Sequence, residues 1–216
     1  ASTEVYESAV TVLMRLVFLL FAEERRLLPA EDPLWAESYS VLTLRDDLRT
    51  ASVRDGEDAL ERRSTAWHRL LATFRAVHGG VNHDRLTLPA YGGSLFDPDR
   101  FPFLEGRRAP DHLLVNDIDL GPAADAASGP DRPVAIDDRT VLAILDALLT
   151  VEVKSGRTRV AQRVSYKALD VEQIGHCYEG LLDHGCAPVD ELAIGLIGPE
   201  GNEPEFTITE LEAHLA

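Results

Sequence analysis

The chain has 216 residues, 45% of them apolar and 27% charged, and 37 acids against 21 bases set the net charge at −16. Such a length suits one domain, or one domain with an appended lobe, and buries a real core. The charge repels phosphate at long range, which excludes nucleic-acid binding by the whole surface and leaves room only for a local basic patch.

Residues 5–29 (VYESAVTVLMRLVFLLFAEERRLLP) read as a helix that is apolar around most of its circumference between Val10 and Phe21, and so central. Ser2 or Thr3 caps it, Glu4 suits its first turn, and Pro29 and Pro33 end it. Its apolar run at 16–22 is shorter than the roughly 20 residues a membrane span needs. Arg15 precedes that run and Glu23, Glu24, Arg25 and Arg26 follow it. The segment therefore reads as a core helix, with no membrane partner. A signal peptide is not expected either, because Glu4 and Glu7 stand where a basic start is wanted.

A looser helical stretch covers about 34–52. Leu60, Trp67, Leu70, Leu71, Phe74 and Val77 then recur on one helical face, and Gly79 with Gly80 gives a left-handed stop. From 81 to 114 the pattern breaks into turns rich in Gly, Pro and Asp, with Tyr91, Phe96, Phe101 and Phe103 pinning the loop to the helices. Residues 121–133 (GPAADAASGPDRP) lack large apolar side chains to offset their ordering entropy and read as a flexible linker.

Order resumes at Asp137 or Asp138, which caps a helix with Val141, Leu142, Leu145, Leu148 and Leu149 inward. TVEVKSGRTRVAQRVSY alternates about Ser155 and Gly156 as a β-hairpin. Asp170 and Gln173 form a capping box for a helix carrying Ile174, Tyr178, Leu181 and Leu182, which Gly185 ends. ELAIGLIG and EFTIT follow as two short strands. The fold class is mainly α: a multi-helix protein with a β-hairpin and a small C-terminal sheet. It divides into a helical domain with a Gly/Pro/aromatic loop (1–120), the linker (121–133) and a helix–hairpin–helix lobe with short strands (134–216).

One stretch is basic: Lys154, Arg157, Arg159, Arg163 and Lys167, with no acid between Lys154 and Leu169. A basic hairpin can enter a groove or follow a phosphate strand. The plainer expectation is a solvated hairpin that offsets the acid around it. The arginine pairs Arg25–Arg26, Arg62–Arg63 and Arg107–Arg108 stand beside or close to Glu24, Glu61 and Glu105, and read as balanced surface or ion pairs.

Glu152, Val153 and Lys154 imitate the E-x-K half of a Mg²⁺-dependent nuclease, which needs two carboxylates and the lysine at one strand edge. The nearest second carboxylate, Asp146, falls inside a predicted helix. His176, Cys177, His184 and Cys186 are close in sequence, yet structural zinc takes ligands two to four residues apart on a turn. Adjacent His176 and Cys177 would diverge by about 100° on a helix, so no metal is expected. The two cysteines also give no disulfide framework and suit a reducing, cytoplasmic setting. No glycine loop of the P-loop or dinucleotide type occurs, since Tyr91-Gly92-Gly93-Ser94 lacks the lysine and the following helix. A G-x-S-x-G nucleophile elbow is missing too.

Segments 5–29, 91–104 (YGGSLFDPDRFPFL) and 164–184 (VSYKALDVEQIGHCYEGLLDH), with 60–80 (LERRSTAWHRLLATFRAVHGG), resemble one family in content and order. It is the large adenine-specific DNA methyltransferases of type IIG-like restriction–modification systems and of BREX- and DISARM-like phage defence. The resemblance covers roughly residues 5–184; the stretch 121–133 and the residues after Cys186 depart from it. In that family the region lies upstream of the methyltransferase core, which implies a scaffold or connector without chemistry of its own. The core's Gly-rich cofactor loop and Asn-Pro-Pro-aromatic tetrapeptide are missing, and Asp97-Pro98-Asp99 has no amide to hold an exocyclic amine. S-adenosylmethionine and adenine flipping are thus implied for the parent, and no cofactor for this chain. Implied partners are the parent's other domains and, in their company, DNA. Self-association is expected where a face the parent covers lies open. The rival expectations are a nuclease domain using Glu152 and Lys154, and an acidic protein-interaction module.

Overall fold

The computed structural model describes residues 2–83, 85–107, 133–155, 158–182, 189–196 and 205–215. Among them the chain is mainly α, with eight α-helices and three two-stranded antiparallel sheets. Helix α1 (Ser2–Glu24) is central, as its all-round apolar surface implies: Leu16, Leu19 and Leu20 are at most 1% exposed. By length and composition it could cross a membrane, but 61% of that window is buried inside the protein. Its apolar faces belong to a core shared with Trp35, Leu44, Trp67, Phe74, Val141 and Leu145.

The end of α1 is a Schellman turn. Leu27 N–H donates to Ala22 O at 2.8 Å and Arg26 N–H to Glu23 O at 3.0 Å. Glycine usually holds the left-handed position of this motif, yet here Arg26 occupies it with φ 58°, at a cost of about 1 kcal/mol.

Pro33, expected to close the first helix, instead opens α2 (Pro33–Ser38), where a missing N–H costs nothing. The Asp32 carboxylate accepts from the Leu34 and Trp35 N–H groups there. The stretch 34–52 is thus two helices, because Ser40 breaks it and caps α3 (Val41–Asp55) through Thr43 N–H. Leu60 likewise lies in a separate short helix, α4 (Glu57–Leu60), ahead of α5 (Thr65–Gly79). Its side chain still enters the same core.

After α5 the chain turns directly into a hairpin, β1 (Val81–His83) with β2 (Leu86–Leu88), where the sequence implied only turns. Three-residue strands carry too little alternation to be read. The turn depends on Gly80, at φ 76° and ψ 171°, a region open essentially to glycine alone. A Cβ there would lie 2.7 Å from Leu88 O and 2.8 Å from Ala90 N. Gly80→Ala is expected to cost about 3 kcal/mol, since backbone strain and overpacking act together. Gly56→Ala, at φ 86° but with nothing within 4 Å, carries the strain alone, about 1–2 kcal/mol. Urea unfolding of the two variants tests the ranking.

Asp137 caps α6 (Asp138–Leu149), which sends Val141, Leu142, Leu145 and Leu149 inward, with Leu148 half-buried. These residues join the core formed by α1, α3 and α5. Next come β3 (Thr150–Ser155) and β4 (Thr158–Arg163), and then a 3₁₀ turn at Tyr166–Ala168. Helix α7 (Val171–Leu182) opens on the expected capping box: Asp170 N–H donates to Gln173 at 3.0 Å, and Gln173 N–H to Asp170 at 2.8 Å. The last sheet pairs β5 (Ala193–Gly195) with β6 (Glu205–Thr207). Strand β6 is shorter than EFTIT, because Thr207 and Glu210 form a second capping box and start α8 (Ile208–Leu215), which was not anticipated. The expectations for 121–132, for Gly185 and for the Ser2 and Thr3 side chains lie outside the described residues.

Candidate functional site

Strand register organises the basic stretch. Lys154 stands opposite Arg159, Thr150 opposite Arg163 and Glu152 opposite Ala161, so alternation puts all six on one hairpin face. Val151, Val153 and Val160 share the other face and are 41–51% exposed. Arg157 lies outside the described residues.

The foot of the hairpin rests on the end of α1, roughly 140 residues earlier in the chain. One Glu24 oxygen accepts Lys167 N–H at 2.9 Å and Ser165 Oγ–H at 3.2 Å. The other lies 3.7 Å from the Arg163 guanidinium. Arg25 donates to Leu169 O at 2.6 Å and lies 4.8 Å from the centre of the Phe21 ring. Glu24, Arg25, Arg26 and Lys167 thereby line one shallow depression. Arg26 is ion-paired, but with Glu31 at 3.1 Å and not with Glu24, and the grouping with Lys167 was not anticipated. Glu24 is occupied by the hairpin's foot, and among the described residues no carboxylate pairs with Arg25. Arg107 pairs as expected with Glu105 at 3.2 Å, whereas Arg63 pairs with Asp55 at 3.3 Å and Glu61 with Arg139; Arg108 lies outside the described residues.

Among the described side chains, neither alternative chemistry finds a constellation, those of Glu152 and Lys154 lying outside them. The Asp146 carboxylate, which a nuclease centre with Glu152 and Lys154 would need, accepts from Arg45 at 2.8 Å and Arg49 at 2.9 Å, both on α3. His176 is exposed and lies 3.5 Å from Glu179, while His184 and Cys186 lie outside the described residues. No group of His, Cys, Asp or Glu among the described residues is placed to hold a metal.

Three buried charges serve the architecture instead. Glu23, 3% exposed, accepts Val41 N–H at 2.9 Å, Leu42 N–H at 3.3 Å and Ser40 Oγ–H at 2.9 Å, and so caps α3. Burial raises its pKa, against the lowering by those three hydrogen bonds. The Trp35 indole nitrogen, buried without a partner of hydrogen-bond geometry, adds a last and smaller lowering through its closeness. Asp138 accepts Ala66 N–H and Thr65 Oγ–H, each at 2.8 Å, and caps α5, whose own Ser64 makes no capping bond. Arg15 donates to Leu95 O at 2.6 Å and Asp97 O at 3.0 Å, with its guanidinium 5.2 Å from the Phe74 ring centre. Burial lowers its pKa, and Glu105 counters that.

Arg15 therefore fixes the aromatic loop together with buried Phe96 and Phe101. Tyr91 pins through its hydroxyl, donated to Leu27 O at 2.8 Å, while its ring stays exposed. Sequence spacing could not reveal these contacts, because each joins residues at separations no local motif encodes. Comparison with protein families, with curated proteins and with solved structures gives no match for this chain.

Proposed function

We propose that the chain is a non-catalytic helical connector of a bacterial adenine-specific DNA methyltransferase of a restriction–modification or phage-defence system. It holds modules in fixed geometry and touches duplex DNA through its basic hairpin. The observation that carries this reading is the use made of the carboxylates. Glu23, Glu24 and Asp138 tie distant segments together by capping α3, the hairpin's foot and α5. Such long-range caps suit a rigid spacer. S-adenosylmethionine belongs to the parent's core in this reading, and the chain itself needs no cofactor.

The nuclease alternative is disfavoured by the engagement of Asp146 with Arg45 and Arg49. The exposed Val189 and Leu192 near the C-terminal sheet are apolar and favour a covering neighbour over an acidic docking face. A parent domain, or a second copy of the chain, would cover them.

Fluorescence anisotropy of a labelled duplex at low salt tests the DNA contact, beside a variant carrying Lys154→Glu, Arg157→Glu and Arg159→Glu. Binding that weakens with salt and is lost in the variant is expected, since each phosphate contact carries its own salt dependence. Equal binding by both proteins would remove the hairpin from the interface. No binding by either would leave only the connector role, to be pursued through protein partners.

A further inference from the structure

The end of α1 keeps a residue that its backbone disfavours. Arg26 holds a left-handed conformation at φ 58°, where glycine would fit without strain. Its side chain is highly exposed and pairs with Glu31 at 3.1 Å, a surface contact worth little. Neither stability nor packing accounts for an arginine there. Cations do favour a helix C-terminus, but Arg25 already supplies one. Strain held at a single residue points to a use for its side chain.

Arg25, next to it, is preorganised. The Leu169 carbonyl and the Phe21 ring fix its guanidinium, which has further N–H donors and no carboxylate partner among the described residues. A cation already ordered loses little side-chain entropy on binding an anion. Lys167 lines the same depression and is exposed. The one acid lining it, Glu24, is turned toward Lys167 N–H, Ser165 and Arg163. Arg163 in turn belongs by register to the hairpin face of Lys154 and Arg159. The basic sequence of the hairpin therefore leads by strand register to the helix end, over about 13 Å of strand from Arg159 to Arg163 alone.

We propose that Arg25, Arg26 and Lys167 form a phosphodiester anchor. It takes the backbone of a nucleic-acid strand whose neighbouring phosphates lie along the hairpin. This inference rests on the DNA contact proposed above and adds to it a second, separable site.

The test measures melting temperature and duplex anisotropy at about 50 and about 200 mM salt. It compares the wild type with Arg26→Gly, with Arg25→Gln plus Lys167→Gln, and with the hairpin triple variant. Arg26→Gly is expected to melt about 2–4 °C higher, because glycine relieves the strain. The same variant should bind DNA roughly tenfold more weakly at the lower salt, with a log–log salt slope smaller by about 0.9. The double variant should lose about twice that slope. A variant gaining stability while losing affinity cannot be explained by unfolding. If Arg26→Gly and the double variant bind like the wild type while the hairpin variant does not, the anchor is overturned and the hairpin contact stands. Loss in the helix-end variants alone would establish the anchor and overturn the hairpin. No binding by the wild type at the lower salt overturns both.

Discussion

Glu23→Ala is expected to lower the unfolding free energy by about 3–5 kcal/mol, read as a fall in the urea midpoint. The first N–H groups of any helix lack intrahelical acceptors, and in α3 two side chains meet them. Ser40 takes Thr43 N–H at 3.2 Å, and Glu23 takes Val41 and Leu42 at 2.9 and 3.3 Å. Val41 is fully buried, so water cannot replace the lost acceptor there. Each orphaned buried donor costs about 1–3 kcal/mol, and the vacated side-chain volume adds to that. Relief of the carboxylate's own desolvation keeps the loss from being larger.

Glu23 also gives a pH signature. Burial raises its pKa above the ordinary 4.5, so between that value and the raised one the folded state binds more protons than the unfolded state. Stability contributed by Glu23 is therefore complete below pH 4.5 and declines as pH rises through the folded pKa. Against Glu23→Gln, which does not titrate, the wild type should lose relative stability in that interval as pH increases. The opposite slope would mean that the capped α3 donors outweigh burial.

Arg15→Met is expected to cost about 3 kcal/mol, close to the loss from breaking a buried charged contact. Methionine replaces the side chain's length and apolar contact with Phe74 but leaves the Leu95 and Asp97 carbonyls without their donor. Phe96 packs 5.3 Å from Phe18 and 6.0 Å from Phe74, centre to centre, so part of the loop stays attached by its ring. Faster hydrogen exchange around Leu95–Asp97, with α5 still protected, is the expected pattern. Equal loss of protection throughout would show that Arg15 supports the whole core and not this loop.

The helices were legible where periodicity and local caps agree. Asp170–Gln173 and Asp137 announced α7 and α6, and the face of Trp67, Leu70, Phe74 and Val77 announced α5. Boundaries failed where one residue had two roles. Pro33 stops one helix in sequence terms but starts another in space, and Ser40 divides a continuous polar–apolar pattern. Thr207 with Glu210 was a readable T-x-x-E signal, overlooked inside a β-branched run. The basic stretch was visible as composition. Its junction with Arg25 and Arg26 was not, because folding brings those residues together from opposite ends of the chain.

The cap that Asp138 places on α5 sets an order of events during synthesis. Its carboxylate follows the Ala66 amide by 72 residues, a delay of about 4–14 s at 5–20 residues per second. Until α6 leaves the ribosome, α5 has neither its acceptor nor the apolar cover of Val141 and Leu145. Trp67 and Phe74 wait with it. Nascent chains halted before residue 138 should thus show a protease-sensitive α5, and chains extended past α6 a protected one.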